Sequence, residues 1–292
     1  MKRAILGLLR PLAERFPKLL MAYRLVKEHW HLLDVPVKTP LGFRLIGNAA
    51  MERGEFEAEE TRLIQRLLPD ADLCINVGAN IGYYCCVAAS LGKRVIAFEP
   101  VAVNLQYIVK NVEANGWSDL VHVVPLALSD SRGAAKIYGE GTGASLIKGW
   151  ARGPEATPTL VPTSTLDAEA GALVAGKRCL VIVDIEGAER RMLDGARGLL
   201  GMAPKPTWMV EISVGEHQPR GSAINPDLLS TFQVFYSNGY EAWTTTAPHR
   251  PIAREEIERI AATGRDTLKS HNFLFVENGR AGSWTTAQPP AR

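Results

Sequence analysis

The 292-residue chain is 46% apolar and 22% charged, a balance that supports a sizeable core and excludes global disorder, collagen-like repetition and a disulfide-stapled miniprotein. Its formal net charge of +2 is too small for the chain as a whole to grip a polyanion by bulk electrostatics. The four cysteines, Cys74, Cys85, Cys86 and Cys179, form no C-x-x-C pair and stand in apolar stretches, which argues against structural zinc and suits a reducing cytoplasm.

Charge is unevenly placed. Residues 1–30 carry seven basic and two acidic side chains, net +5, which leaves the rest of the chain at net −3. Between those charges Ile5, Leu8, Leu9, Leu12, Phe16, Leu19 and Leu20 recur at helical spacing. The apolar runs are too short for a membrane span or a secretory core. Two readings fit: a helix packed on the domain with its basic face in water, or a basic amphipathic helix resting on anionic lipid at the inner membrane face.

Residues 35–46 read as a small hairpin about a Pro/Gly turn, and 55–68 as a helix with glutamates at its start and Pro69 at its end. From residue 71 short apolar runs alternate with amphipathic segments. Strands are predicted at 73–77, 95–98, 121–128, 180–184, 207–212, 240–244 and 273–276. Helices are predicted up to about 91, then at 102–115, 188–200, 226–238 and 254–262. This rhythm predicts an α/β fold, a mostly parallel seven-stranded sheet with helices on both faces. The expected organisation is an N-terminal extension over 1–70, the α/β domain over 71–278 and a frayed tail over 279–292. The glycine- and proline-rich segment 139–160 reads as a linker by default and as a lid if functional.

The strongest local signal is Leu73-Cys74-Ile75-Asn76-Val77-Gly78-Ala79-Asn80-Ile81-Gly82. A buried strand runs into a glycine-rich turn that opens a helix, where backbone can approach a ligand and offer free N–H groups. Glu99, closing the next strand, stands where a carboxylate accepts both hydroxyls of a ribose. A dinucleotide fingerprint would read G-x-G-x-x-G, whereas this turn reads G-x-N-x-G. The Y-x-x-x-K of Tyr23–Lys27 lies upstream of the turn, so nicotinamide oxidoreduction is the weaker alternative.

With Ala97-Phe98-Glu99-Pro100, Ala127-Leu128-Ser129-Asp130, Ser164-Thr165-Leu166-Asp167, Val183-Asp184-Ile185-Glu186-Gly187-Ala188-Glu189 and Met209-Val210-Glu211-Ile212 following in order, the chain resembles the FkbM family of S-adenosylmethionine-dependent methyltransferases over about residues 45–277. The resemblance implies a Rossmann-like class I methyltransferase sheet and O-methylation of a sugar, glycolipid or secondary metabolite. It implies S-adenosylmethionine on Gly78, Ala79, Asn80 and Gly82, its ribose on Glu99, its adenine near Ala127, and a lesser contact from Asp130. Asn76 departs from the family's usual aspartate: it either accepts from the methionine ammonium without adding charge or bonds its own turn. That departure keeps open a cofactor-binding module without turnover.

Methyl transfer requires alignment, exclusion of water and removal of the hydroxyl proton. Asp184 is the expected group at the acceptor, with Glu186 second. Glu211 reads either as a substrate contact or as a cap. Glu189 reads as solvated. His217 and His271 flank strand ends and are possible bases, and His122 reads as a satisfied core residue. Asp184 and Glu186 lack a convincing third carboxylate for a metal. Nucleic-acid N-methylation is disfavoured, because Asp184-Ile185-Glu186-Gly187 stands where such enzymes carry a D/N-P-P-aromatic block. The expected partner is a small-molecule or glycan acceptor.

Overall fold

The computed structural model describes residues 34–139, 141–150, 158–219 and 221–280, with six isolated positions before residue 24. The basic segment 1–30, apart from those positions, and the tail beyond 280 lie outside the described residues, and with them the expected membrane contact. The chain divides into two compact units, Met1–Val37 and Lys38–Arg292. The architecture below belongs to the second.

The expected hairpin closes where the Thr39 N–H and hydroxyl both donate to the Phe43 carbonyl, at 2.8 and 2.9 Å. Helix α1 (Ala58–Leu67) has Glu59 and Glu60 in its first turn and Arg66 in its last, as the helix dipole favours. It tightens into a 3-10 turn at Leu68–Asp70, with Pro69 at the position where no N–H is needed. There follow β1 (Leu73–Val77), α2 (Tyr83–Ser90), β2 (Arg94–Phe98), α3 (Ala102–Glu113) and β3 (Val121–Val124). Next come β4 (Ala127–Leu128), β5 (Gly133–Ile137), β6 (Thr159–Ser164) and α4 (Leu166–Val174). The second half holds β7 (Cys179–Val183), α5 (Glu189–Asp194), α6 (Arg197–Gly201), β8 (Thr207–Glu211) and α7 (Leu228–Ser237). It ends with β9 (Tyr240–Thr244), β10 (Pro251–Ile252), α8 (Arg254–Thr263) and β11 (Asn272–Glu277).

The main sheet runs β10-β9-β11-β8-β7-β1-β2-β3. The five strands from β3 to β8 are parallel, while β11 runs antiparallel to both β8 and β9. This is the expected Rossmann-like methyltransferase sheet with one short edge strand, β10, added. The strands are buried on both faces. Ile75, Val77, Val181, Val183, Val210 and Phe273 enter one core, and Cys74, Ala97, Leu180, Ile182, Met209 and Leu274 the other. Continuous apolar runs are therefore the correct sequence signature.

Three expectations need correction. The strand predicted over 121–128 is two strands: Pro125 has no N–H to give the ladder, the chain bends with the Leu126 N–H on the Val124 carbonyl, and β4 joins a separate sheet of order β4-β6-β5. The helix predicted over 188–200 breaks at Gly195, where a Cβ would lie 2.2 Å from the Ser129 carbonyl oxygen. The segment 139–160 is not simply a linker. It joins the antiparallel strands β5 and β6, and its described part is tied back by the Tyr138–Ser145 bridge. Among the described residues no helix is long and apolar enough to cross a membrane.

Asn111 on α3 and Asn115 just beyond its end hold the second strand of the hairpin, and Asn111 also ties it to the 78–82 turn. The buried Asn111 accepts from the Ile46 N–H (2.6 Å) and donates to the Ile46 and Ile81 carbonyls (3.1 and 2.9 Å). The half-buried Asn115 bonds both backbone groups of Arg44. Leaving buried backbone groups unpaired costs about 1–3 kcal/mol each. Asn111→Leu is expected to lower stability by about 2–4 kcal/mol in urea unfolding, while Asn115→Ala, with water to replace its bonds, stays below about 1 kcal/mol.

Candidate active site

The carboxyl edge of the parallel strands holds a cleft of about 570 Å³, counting the space at its open mouth, lined by Gly78, Asn80, Glu99, Asn104, Leu126, Ala127, Asp184 and Glu186 among others. Its floor is a backbone crossing. The Asp184 N–H donates to the Val77 carbonyl at 3.0 Å. Gly78, at φ +76°, lies so close to the next carbonyl that a Cβ there would stand 1.8 Å from the Asp184 oxygen. The Gly78 and Ala79 N–H groups donate back to the Phe98 carbonyl, at 3.0 and 2.9 Å. Gly82, at φ +85°, is the residue before α2 and packs on Ile108.

Glu99 is 3% exposed. It accepts from the Asn80 N–H (2.7 Å), the Val101 N–H (2.8 Å) and the Asn104 amide (3.3 Å). Burial dominates those bonds and pushes its carboxyl up to about 7. The Asn80 Oδ1 is buried with no hydrogen-bond partner among the described residues. Ala127 lines the cleft wall. Asn76 and Asp130 do not line it. Asn76 is buried in the sheet and accepts from the Cys85 thiol on α2 at 3.4 Å, so the amide serves strand-to-helix packing. Asp130 is exposed, bonded to the Ser129 and Ser131 hydroxyls and to Arg191 at 3.3 Å.

Asp184 lines the cleft just past the end of β7. Burial, reinforced by the neighbouring Glu186 charge, raises its carboxyl well above the ordinary range. Glu186 sits at φ +55° and Gly187 at φ +95°. This turn is held by groups that sequence reasoning missed: the Trp150 indole N–H donates to the Glu186 carboxylate (2.5 Å), and the Ser145 hydroxyl donates to the Glu186 carbonyl (2.6 Å). A Cβ on Gly187 would lie 2.3 Å from the Trp150 ring. Glu211 is pushed up to about 10 by burial and then by the Asp184 charge, so it keeps its proton at neutral pH. The Glu57 carboxyl, also raised by burial, accepts from the Tyr84 hydroxyl and lies within electrostatic reach of Asp184 and Glu211.

Two further residues are corrected. Glu189 is not solvated: it is 3% exposed, accepts from the Gly187 N–H at 2.9 Å and is pushed up to about 7 by burial, because its chain turns back to cap the strained turn. His122 is exposed on the edge strand β3 rather than buried in the core. His217 and His271 are exposed; His217 rests edge-on against Trp150 with ring centroids 6.2 Å apart, and His271 acts electrostatically on Glu57. Among the described residues no cluster of three or more acidic, histidine or cysteine groups has the geometry to hold a metal.

A methyltransferase FkbM domain model matches residues 76–242, more than half of the chain. The protein belongs to the FkbM methyltransferase family, and its cofactor is S-adenosylmethionine. The crystal structure of methyltransferase FkbM from Methylobacillus flagellatus KT is similar at 17% identity and a TM-score of 0.43, over 71% of this chain and 44% of its own. The present chain thus spans less than half of that relative. Cofactor-bound Rv0187 from MTB is similar at 13% identity and a TM-score of 0.43, over 75% of this chain and 78% of its own. Aeropyrum pernix fibrillarin, in complex with natively bound S-adenosyl-L-methionine, is similar at 10% identity and a TM-score of 0.39, over 74% and 72%. Among curated proteins none matches the sequence.

The cleft's own atoms fit that cofactor. Asn80 presents an unpaired buried acceptor and Glu99 a carboxylate suited to ribose hydroxyls, while Gly78, lacking a Cβ, lets the ends of β1 and β7 close beneath them. Gly78→Ala is expected to cost about 3 kcal/mol or more, because a strained φ and a backbone overlap act together. Gly92→Ala, at φ +71° with open space around it, is expected to cost about 1 kcal/mol. Thermal unfolding of the two variants reads the difference, and only the first should lose cofactor binding in a titration.

Proposed function

We propose that the protein is an O-methyltransferase acting on a hydroxyl of a sugar, glycolipid or secondary metabolite. The observation that carries this reading is the buried Asp184–Glu211 pair beside the cofactor cleft, in which burial and neighbouring carboxylates raise both carboxyls. S-adenosylmethionine supplies an activated methyl group: a carbon–oxygen bond forms as the sulfur–carbon bond breaks, S-adenosylhomocysteine leaves, and the acceptor hydroxyl must give up its proton. In this reading Asp184 takes that proton and Glu211, still protonated, donates a hydrogen bond beside it. Glu186 raises the basicity of Asp184 by like charge and is itself held by Trp150. The segment 141–150 acts as a lid on the acceptor side, supported by its two bonds to Glu186. A cytoplasmic setting is supported by the four free, buried cysteines.

Because Asp184 must be ionised to accept a proton and its carboxyl is raised, kcat/KM should climb with pH through a transition above the ordinary carboxylate range. Glu186→Gln removes a negative neighbour, so Asp184 ionises more easily and that transition should move to lower pH. Asp184→Asn should lower kcat by about 10²–10⁴-fold with the cofactor Kd nearly unchanged. Transfer of a labelled methyl group into an extract of candidate acceptors measures all three. Label arriving only on amines, or full activity in Asp184→Asn, contradicts the reading.

A further inference from the structure

The carboxyl edge carries one polar group that nothing above uses. Asn272, at the start of β11, is 4% exposed, and its Nδ2 has no hydrogen-bond partner among the described residues. It stands directly opposite Glu211 across the β8–β11 ladder. The Ile212 N–H donates to the His271 carbonyl at 2.6 Å, which makes 212 and 271 the hydrogen-bonded pair. In the antiparallel alternation Glu211 and Asn272 are then the non-bonded pair, whose side chains approach most closely and share one face. On the other side Val183 pairs with both Val77 and Val210. That register, carried one residue further, sets Gly78, Asp184, Glu211 and Asn272 in a row across four strands. Phe273, Val210 and Val183 enter the opposite core, so the three polar side chains share the other face.

The row contains the buried Asp184 carboxyl next to the cofactor turn, then the buried Glu211 carboxyl, raised like it, then an unsatisfied amide donor. A buried donor left unpaired costs about 1–3 kcal/mol, a cost that a bound acceptor atom would remove. A group lying between Glu211 and Asn272 must accept from the amide while exchanging a hydrogen bond with the carboxyl. A hydroxyl does both. An ammonium has no lone pair to accept with, and a phosphate or carboxylate is repelled by Asp184 and Glu186. The position is about one and a half strand spacings, roughly 7 Å, from Asp184, too far to be the oxygen that Asp184 deprotonates.

We infer that Asn272 and Glu211 hold a second, non-reacting hydroxyl of the acceptor, so that the substrate is a neutral polyol, such as a sugar ring, rather than a simple alcohol, an amine or an anion. This inference rests on the O-methyltransferase reading and refines it.

Crystals grown with and without S-adenosylhomocysteine and soaked in glycerol test it. The expected result is a glycerol hydroxyl oxygen within hydrogen-bond distance of both the Asn272 Nδ2 and a Glu211 carboxyl oxygen. Parallel soaks in ethylammonium chloride should leave that position without the amine. The glycerol oxygen should be lost in Asn272→Leu and also in Asn272→Asp, which keeps the shape and takes the donor away. Glycerol absent from this position, retained in both variants as an adventitious additive only, or replaced there by ethylammonium overturns the inference. A direct Asn272–Glu211 hydrogen bond closing the gap also overturns it. A cleft at Gly78 that stays empty of S-adenosylhomocysteine counts instead against the methyltransferase reading, and the glycerol oxygen remains readable in the same crystals.

Discussion

The contact between the Gly78 backbone and the Asp184 carbonyl is the constraint on which the rest of the site depends. It brings the ends of β1 and β7 closer than any side chain permits, since a Cβ would sit 1.8 Å from that oxygen. Two consequences follow. The turn 78–82 is pinned against Phe98, so the Asn80 N–H reaches the Glu99 carboxylate. Asp184 is fixed in the cleft wall just past the end of β7. One backbone approach thus sets the glycine turn in register with Asp184.

Around that contact the carboxyl edge gathers acids that water would otherwise keep apart. Glu57, Glu99, Asp184, Glu189 and Glu211 all have raised carboxyl pKa values, with burial the largest cause in each case. Such burial works against stability at neutral pH, since each raised carboxyl favours folding fully only below its ordinary pKa and loses that contribution as pH rises through the shifted one. Two of these costly sites, Asp184 and Glu211, carry the chemistry in the proposed mechanism. Glu99 and Glu189 are satisfied by backbone N–H groups and hold turns, whereas no bond to the Asp184 or Glu211 carboxyl competes with a ligand among the described residues.

Much of the framework was legible because it is local. The run Leu73–Val77 followed by the glycine turn, and Glu99 at the next strand end, announce themselves by residue type and spacing. What escaped is set by non-local packing. Gly133–Ile137 pairs as a strand although its residues are mostly exposed, so no apolar alternation marks it. Trp150 and Ser145 lie in a glycine-rich stretch whose composition reads as a linker, and their role appears only once Glu186 is brought to them. Glu189 falls in the first turn of a helix, where a carboxylate ordinarily faces water. Asn272 has no sequence signature, because its meaning comes from the antiparallel register opposite Glu211. At Asn76 the residue type suggested a ligand contact, while the pleat of β1 turns the side chain to Cys85.

The most direct measurement of the central claim is the proton balance of cofactor binding. Glu99 sits at about 7 in the free protein, and donation from ribose hydroxyls favours its ionised form. Titration calorimetry with S-adenosylmethionine near pH 7, in buffers of different ionisation enthalpy, should show release of about half a proton, and that release should vanish in Glu99→Gln together with most of the affinity. Binding with no proton release, or release unchanged in the variant, would mean that the cofactor lies elsewhere than across Glu99 and the Gly78 turn.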